Sequence, residues 1–372
     1  MSQPVYFLDL KASLRENRLE RIGRLMDQVG FSKPLIKNNL VAVKVHFGEK
    51  GNTAYVRPIY LRPITDKVKI WGGKPFVTDA NTLYVGTRAE SVSHLQTALE
   101  NGFSYETVGA PLIIADGLRG KSVSRVPVKL KHFKSVSIAA DIVNADAFIS
   151  VAHFKGHELA GFGGTIKNVG MGCAAREGKL SQHSNIAPKV TRKKCIGCGE
   201  CVSHCAQSAI ALEEEKSVIN PETCVGCGEC ILTCPQGAIQ IQWNESIPIF
   251  QQKMVEYTAG VLKGKEGRAL FLNFLTDISP ACDCYGHADR PIVRDIGILA
   301  STDPVAIDQA AVNLVNQEPG NRDSALTKNF NPGEDKFRGV YPQIDWEVQL
   351  AYAEEIGLGT RAYELIPVPP RE

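Results

Sequence analysis

The sequence has almost no excess of charge. Its 42 Lys and Arg stand against 40 Asp and Glu, a formal net charge of +2 over 372 residues. That balance gives neither a nucleic-acid backbone nor an anionic membrane surface an electrostatic reason to bind. Long apolar runs are missing as well. Hydrophobic residues make up 44% of the chain, yet no stretch approaches the roughly 18 to 20 apolar residues that span a bilayer. Residues 2–17 carry neither a basic start nor a long apolar core. No secretion signal is read there, and a cytoplasmic location is expected.

Cysteine, by contrast, is abundant and crowded. Eight of the 11 cysteines fall between Cys195 and Cys234. In a chain expected to be cytoplasmic, clustered Cys-x2-Cys spacing points to metal instead of disulfides.

Away from that cluster the chain alternates short β-branched runs with amphipathic stretches. Strands are expected at Val5–Leu8, Val41–Val45, Pro75–Thr78, Leu112–Ala115, Lys134–Ile138 and Phe148–Ala152, and helices at Leu14–Val29, Tyr60–Trp71, Ala89–Asn101 and Ala139–Ala145. After residue 245 the style returns, with helices at Gln251–Leu262, Ser301–Val315 and Val348–Glu355 and strands at Ala269–Asn273 and Ile296–Leu299. Asp303 can cap the Ser301–Val315 helix, with Pro304 in its first turn. The rhythm predicts an α/β body: a mostly parallel sheet with helices on both faces. Composition changes between Pro188 and Gln242, after a basic entry at Lys189–Lys194 and before the linker-like Trp243–Pro248. We therefore expect a body formed by residues 1–187 and 243–372, with a small α+β ferredoxin-like domain, 188–242, inserted into it.

Residues 195–206 read C-I-G-C-G-E-C-V-S-H-C-A and residues 224–235 read C-V-G-C-G-E-C-I-L-T-C-P. Each is Cys-x2-Cys-x2-Cys-x3-Cys, the tandem spacing of a two-cluster bacterial ferredoxin. A tight turn aims three thiolates at one cubane, and the fourth comes from the other repeat. One [4Fe–4S] cluster is expected on Cys195, Cys198, Cys201 and Cys234, the other on Cys224, Cys227, Cys230 and Cys205. Ala206, where the second repeat has Pro235, removes a turn constraint but no ligand. Two zinc sites are the rival reading, but they leave the third spacing and the repeat itself unexplained.

Weaker signals lie in the body. His46, Asp79, Asn81, Asp116, His153 and Asn273 each follow an expected strand, where ligands gather in open α/β sheets. His153 opens the segment H-F-K-G-H-E-L-A-G-F-G-G-T-I-K-N-V-G-M-G-C. A helical turn would put His153 and His157 on one face. Gly161, Gly163 and Gly164, with Lys167 and Asn168, could receive an anion or planar cofactor through backbone N–H groups. The competing reading is a glycine-rich turn that permits tight packing. The segment matches neither G-x-G-x-x-G nor a P-loop. Cys282 and Cys284, with Cys173 from the end of that segment, form a candidate third metal or cluster site, with His153, His157 or His287 as fourth ligand. Against it stands the reading of inert buried thiols. Arg57, Arg88 and Arg176 are candidate anion clamps. Glu213–Glu215 reads as a solvated turn or docking surface.

The segments V-K-V-H-F-G-E, K-P-F-V-T-D-A-N-T-L-Y, the glycine-rich stretch above, C-D-C and D-I-G-I-L-A-S-T-D-P-V-A-I-D-Q-A resemble the prokaryotic domain of unknown function 362, in its branch with an inserted two-cluster ferredoxin. The resemblance runs from about Val41 to Val315. It implies an iron–sulfur protein of a kind common in anaerobes, with no general reaction attached. The expectation is a ferredoxin-dependent oxidoreductase. Its clusters would relay electrons from a soluble redox partner protein to a site in the body, where a small-molecule substrate is reduced and His46, His153 or His157 handles protons. No motif names an organic cofactor. The rivals are a plain electron carrier, and a non-redox isomerase or lyase with structural clusters.

Overall fold

The structure, a computed structural model, describes residues 2–11, 13–29, 36–184 and 187–371. Eight strands form one sheet in the order Tyr363–Pro367, Gln3–Asp9, Gly297–Ser301, Ala269–Leu275, Ala147–His153, Leu40–Val45, Lys74–Asp79, Leu112–Ile114. Gly297–Ser301 runs antiparallel to both neighbours, and the remaining pairings in this sheet are parallel. Seven strands therefore end at one edge. Lys44, Asp79, His153 and Asn273 all come from that edge or within two residues of it.

The strands are apolar on both faces because both faces are covered. Val41, Val43, Val45, Ile149, Val151, Leu270, Leu272 and Phe274 point into one core, shared with Ile22, Leu25, Leu61 and Ile64 from the helices Arg18–Gln28 and Leu61–Ile70. Their alternates Ala42, Phe148, Phe271 and Leu275 point into a second core under the helices Thr165–Gly170, Ile247–Leu262, Pro304–Gln317 and Glu347–Glu355. Each fully buried Leu, Val, Ile or Phe contributes about 1.5–3 kcal/mol. The expected α/β body with a large, mostly parallel sheet and helices on both faces is what forms. Local signals hold at helix starts: Asn17 and Glu20 make a capping box, and Asp303 accepts from the amides of Val305 and Ala306 with Pro304 in the first turn.

Three elements depart from the sequence reading. The strand Ser135–Ala139 pairs antiparallel with Val123–Pro127, outside the main sheet. The proline-rich C-terminal stretch contributes an edge strand, Tyr363–Pro367, and proline is tolerated at an edge. The glycine-rich segment is not helical at its histidines. Lys155–His157 and Gly161–Gly163 form a two-stranded ribbon, and helix begins only at Thr165. Extended chain separates residues four apart by about 13 Å, so His153 and His157 do not share a helical face.

Residues 188–242 build two small antiparallel pairs, Lys189–Val190 with Ile239–Gln240 and Ile210–Glu213 with Lys216–Ile219. They enclose a small hydrophobic cluster of Cys201, Ile210, Cys230, Ile231 and Ile239, separate from the two large cores. No helix among the described residues is long and apolar enough to cross a membrane.

Candidate functional site

The two cysteine repeats fold alike because their glycines do. Gly197 and Gly199 have φ of +70° and +78°, and Gly226 and Gly228 have +70° and +71°. Side chains rarely adopt that region, and it wraps each loop before a short helix, Glu200–Ser203 or Glu229–Thr233. Cys195, Cys198 and Cys201 line a small cavity with Cys234, Ser217 and Ile239. Cys224, Cys227 and Cys230 line a second with Cys205, Ile210 and Ile219. The last cysteine of each repeat thus sits with the first three of the other.

Backbone amides point at the sulfurs: Ala238 N–H donates to Cys234 Sγ at 3.2 Å, Ala209 N–H to Cys205 Sγ at 3.3 Å, and Ser217 N–H to Cys195 Sγ at 3.4 Å. The Ser217 amide holds the Cys195 thiol below its usual range. Burial, reinforced by neighbouring Cys227 and Cys224, pushes the Cys230 thiol up to about 12. Among the described residues no three His, Cys, Asp or Glu side chains gather on a single ion.

The two cavities face differently. Cys198 is exposed and Ile196 is 61% exposed beside the first. The second lies against the body. A Cβ on Gly228 would meet Leu83 at 3.3 Å and Arg176 at 3.4 Å, and one on Gly226 would meet Leu180 at 3.5 Å. Glu229, 2% exposed, reaches Arg119 at 3.4 Å, Lys121 at 3.5 Å and Arg176 at 3.6 Å. Arg176 is buried and also donates to the carbonyls of Thr82, Ala89 and Arg119. It anchors one part of the chain to another and is not a free anion clamp.

Beyond the carboxyl ends of the strands lies a buried charged network. Asp79 takes Lys44 at 3.0 Å, Arg88 at 3.2 Å and His94 at 3.6 Å. Burial opposes ionisation there, but Lys44, His94 and His46 outweigh it and hold the carboxyl well below the usual range. Arg88 also binds Glu49 and the Tyr84 hydroxyl, so it is fully engaged. Arg57 is surface-exposed and reaches Asp277 at 3.6 Å. Asn81 donates to Asp116, whose carboxyl is raised by burial. Lys44 and Glu49 were missed in the sequence. A lysine inside the apolar run V-A-V-K-V was the available signal.

The three candidate histidines separate. Both ring nitrogens of His153 face acceptors: Nδ1 lies 2.7 Å from Asp283, and Nε2 lies 2.9 Å from the Thr276 carbonyl. His157 Nδ1 accepts from the amides of Leu159 and Ala160. Burial, then Lys167 and Lys155, hold this ring well below its usual range. Half-buried His46 accepts from Gly48 N–H at Nδ1, and its Nε2 has no hydrogen-bond partner among the described residues. Burial and Arg88 lower its pKa well below the ordinary value.

The glycines of the 153–173 segment pack against protein. A Cβ on Gly161 would meet Trp346 at 2.6 Å, one on Gly163 would meet Lys167 at 3.1 Å, and one on Gly164 would meet Asp308 at 2.4 Å. Asp308 also takes the amides of Thr165 and Ile166 that open the helix. The tight-packing reading applies to these positions. Lys167 and Asn168 join the polar network: Asn168 Oδ1 accepts from Lys44 at 3.0 Å, and Lys167 Nζ lies 3.6 Å from Cys282 Sγ. Burial and Lys155 bring the Lys167 amine down to about 7.

The expected three-thiol set does not assemble. Cys282 and Cys284 are joined to each other as a disulfide. Cys173 is sealed in the core, its thiol pushed up to about 12 by burial, with its Sγ turned to the Asn168 carbonyl. Exposed His287 lines an open groove with Pro280 and Tyr341.

A family model described as Domain of unknown function (DUF362) matches residues 41–313. No curated protein matches the chain. Two solved structures are similar in outline. The lactate racemase apoprotein from Thermoanaerobacterium thermosaccharolyticum is 13% identical, with a TM-score of 0.44 over 86% of this chain and 59% of that one. A Thermotoga maritima protein is 9% identical, with a TM-score of 0.36 over 91% of this chain and 58% of that one. The chain thus spans under two thirds of the length of either.

Proposed function

The chain belongs to the DUF362 family, and from that premise we propose that it is an iron–sulfur redox protein in which a ferredoxin-like insert, residues 188–242, serves a site in the α/β body. The observation that carries this reading is the pair of four-cysteine cavities with exchanged last cysteines. Cys195, Cys198, Cys201 and Cys234 would hold one [4Fe–4S] cluster, and Cys224, Cys227, Cys230 and Cys205 the other. The tandem Cys-x2-Cys-x2-Cys-x3-Cys repeat suits two polynuclear centres better than zinc sites. Bound there, each cluster supplies one-electron transfer.

The chain's own groups tune and orient that chemistry. Amides of Ser217, Ala209 and Ala238 donate to ligand sulfurs, which favours the reduced, more negative state. Ile210, Ile231 and Ile239 keep water from the cavities. Exposed Cys198 and Ile196 mark the side open to a soluble redox partner protein. Glu229 and Arg176 hold the other side on the body. In the body, half-buried His46, whose Nε2 has no hydrogen-bond partner among the described residues, is the histidine assigned to exchange a proton with a small-molecule substrate.

Anaerobic purification with iron and acid-labile sulfide analysis tests the reading. About eight irons and eight sulfides per chain are expected, with paramagnetic resonance from reduced clusters. Zinc without sulfide would refute it.

A further inference from the structure

We infer that Cys282 and Cys284 are a redox-active dithiol–disulfide couple, the place in the body where an electron pair is held; this rests on reading residues 188–242 as an electron-transfer unit. The two sulfurs are bonded to each other across a single intervening residue. So short a loop constrains the unfolded chain far less than a long-range crosslink does, so stapling the fold is a weak reason for it.

The backbone around the pair is held by other contacts. Asp283 is buried between the two cysteines, with Oδ1 2.7 Å from His153 and Oδ2 3.0 Å from Lys155. The Asp283 carbonyl accepts from Glu49 N–H at 3.0 Å, and the Cys284 carbonyl from the Tyr84 hydroxyl at 3.0 Å. The sulfur–sulfur bond can therefore open without releasing the segment. Two donors already face Cys282 Sγ, Lys167 Nζ at 3.6 Å and Cys284 N–H at 3.5 Å, and both stabilise a thiolate there.

Placement links the couple to the insert. Leu83 touches the Gly228 loop of the second cysteine cavity, and the next residue, Tyr84, bonds to Cys284. Residues 82–84 thus bridge the two sites. Cys282 is buried whereas Cys284 is half-buried and precedes exposed Tyr285. Cys284 is the sulfur that a partner can reach.

The chemistry balances with a one-electron reductant. Two electrons and two protons break the sulfur–sulfur bond and leave two thiols. In the return half, the Cys284 thiolate attacks a substrate disulfide and expels one thiol. Cys282 then attacks the mixed disulfide, expels the second thiol and restores the internal bond. The substrate class is a disulfide.

Reductive titration of the full chain with dithionite, under anaerobic conditions, tests this. The iron-loaded protein should take up about four electron equivalents, about two for two one-electron centres and about two for the disulfide. The C282S/C284S variant should take up about two with its iron unchanged. N-ethylmaleimide should add two labels to the peptide spanning residues 282–284 only after reduction. The K167M variant should keep its iron while the couple's midpoint in dithiothreitol buffers moves to lower potential. Uptake of about two equivalents by iron-replete wild type, or full labelling before reduction, would overturn the inference. A chain without iron whose peptide still cycles in dithiothreitol would instead overturn the reading of the insert and leave the couple standing.

Discussion

Charge reversal at Glu229 should release the cysteine-rich segment from the body without unfolding the body. The carboxylate faces three cations at 3.4 to 3.6 Å. At an effective dielectric near 20, one such pair is worth about 5 kcal/mol before desolvation. Arg119 and Lys121 are 62% and 53% exposed, whereas Arg176 is 1% exposed. The two exposed pairs should therefore count for about 0–1 kcal/mol each, and Arg176 dominates. Arg176 keeps its three carbonyl partners when Glu229 loses its charge, so neutralisation does not strand it. We expect Glu229→Gln to weaken docking by about 2–3 kcal/mol, roughly 30- to 150-fold in the local opening constant. Glu229→Lys should be worse, and Lys121→Ala should cost under about 1 kcal/mol. Hydrogen exchange reads this directly, with amides of residues 195–240 compared against those of the central strand Ala147–His153. Protection of 195–240 should fall while the strand stays slow. Unchanged protection in Glu229→Lys, or equal loss in the strand, would refute the assignment of Glu229 as the anchor.

Three further outcomes follow from the same contacts. Cys234→Ser and Cys205→Ser should each lower iron from about eight to about four per chain, and the cluster that survives in one should be the one lost in the other; identical resonance spectra from the two variants would contradict the exchange. Asp79→Asn leaves Lys44 buried with only neutral acceptors, the carbonyl of Val45 and Oδ1 of Asn168, and should cost about 3–5 kcal/mol by urea denaturation at pH 7. Because the folded pKa of Asp79 is depressed, its contribution is present above about pH 4 and lost below it, so the gap between wild type and variant should narrow in acid. His183, stacked 4.8 Å from Phe250, is lowered to about 3 chiefly by burial. The unfolded chain binds its proton below about pH 6.5 and the folded chain does not, so stability should fall as pH drops from about 6.5 toward 3. His183→Phe should flatten that slope, and an unchanged slope would count against the burial of a neutral ring.

Much of the body was legible because its elements are encoded over short distances. The apolar run V-A-V-K-V, the helical spacing of Ile22, Leu25 and Met26, and the Asp303–Pro304 helix start each carry their signal within a few residues. The glycine-rich segment misled for the opposite reason. Its glycines are set by partners far along the chain, Trp346 and Asp308 among them, so nearby residues do not reveal whether the backbone serves a ligand or a close approach. Lys44 and Glu49 were overlooked because a buried charge makes sense only once its partners, Asp79 and Arg88, are in place.

By itself the sequence determined the α/β rhythm and the two cysteine repeats, because periodicity and ligand spacing are local properties of the chain. The tertiary structure alone decided which faces meet. It placed the second cysteine loop against Leu83 and Arg176, buried Glu229 beside Arg176, occupied both nitrogens of His153 and joined Cys282 to Cys284 while sealing Cys173 away. Apart from the Cys282–Cys284 bond, those outcomes depend on packing between residues tens to hundreds of positions apart, where burial and charge pairing settle each contact only after the sheet has formed.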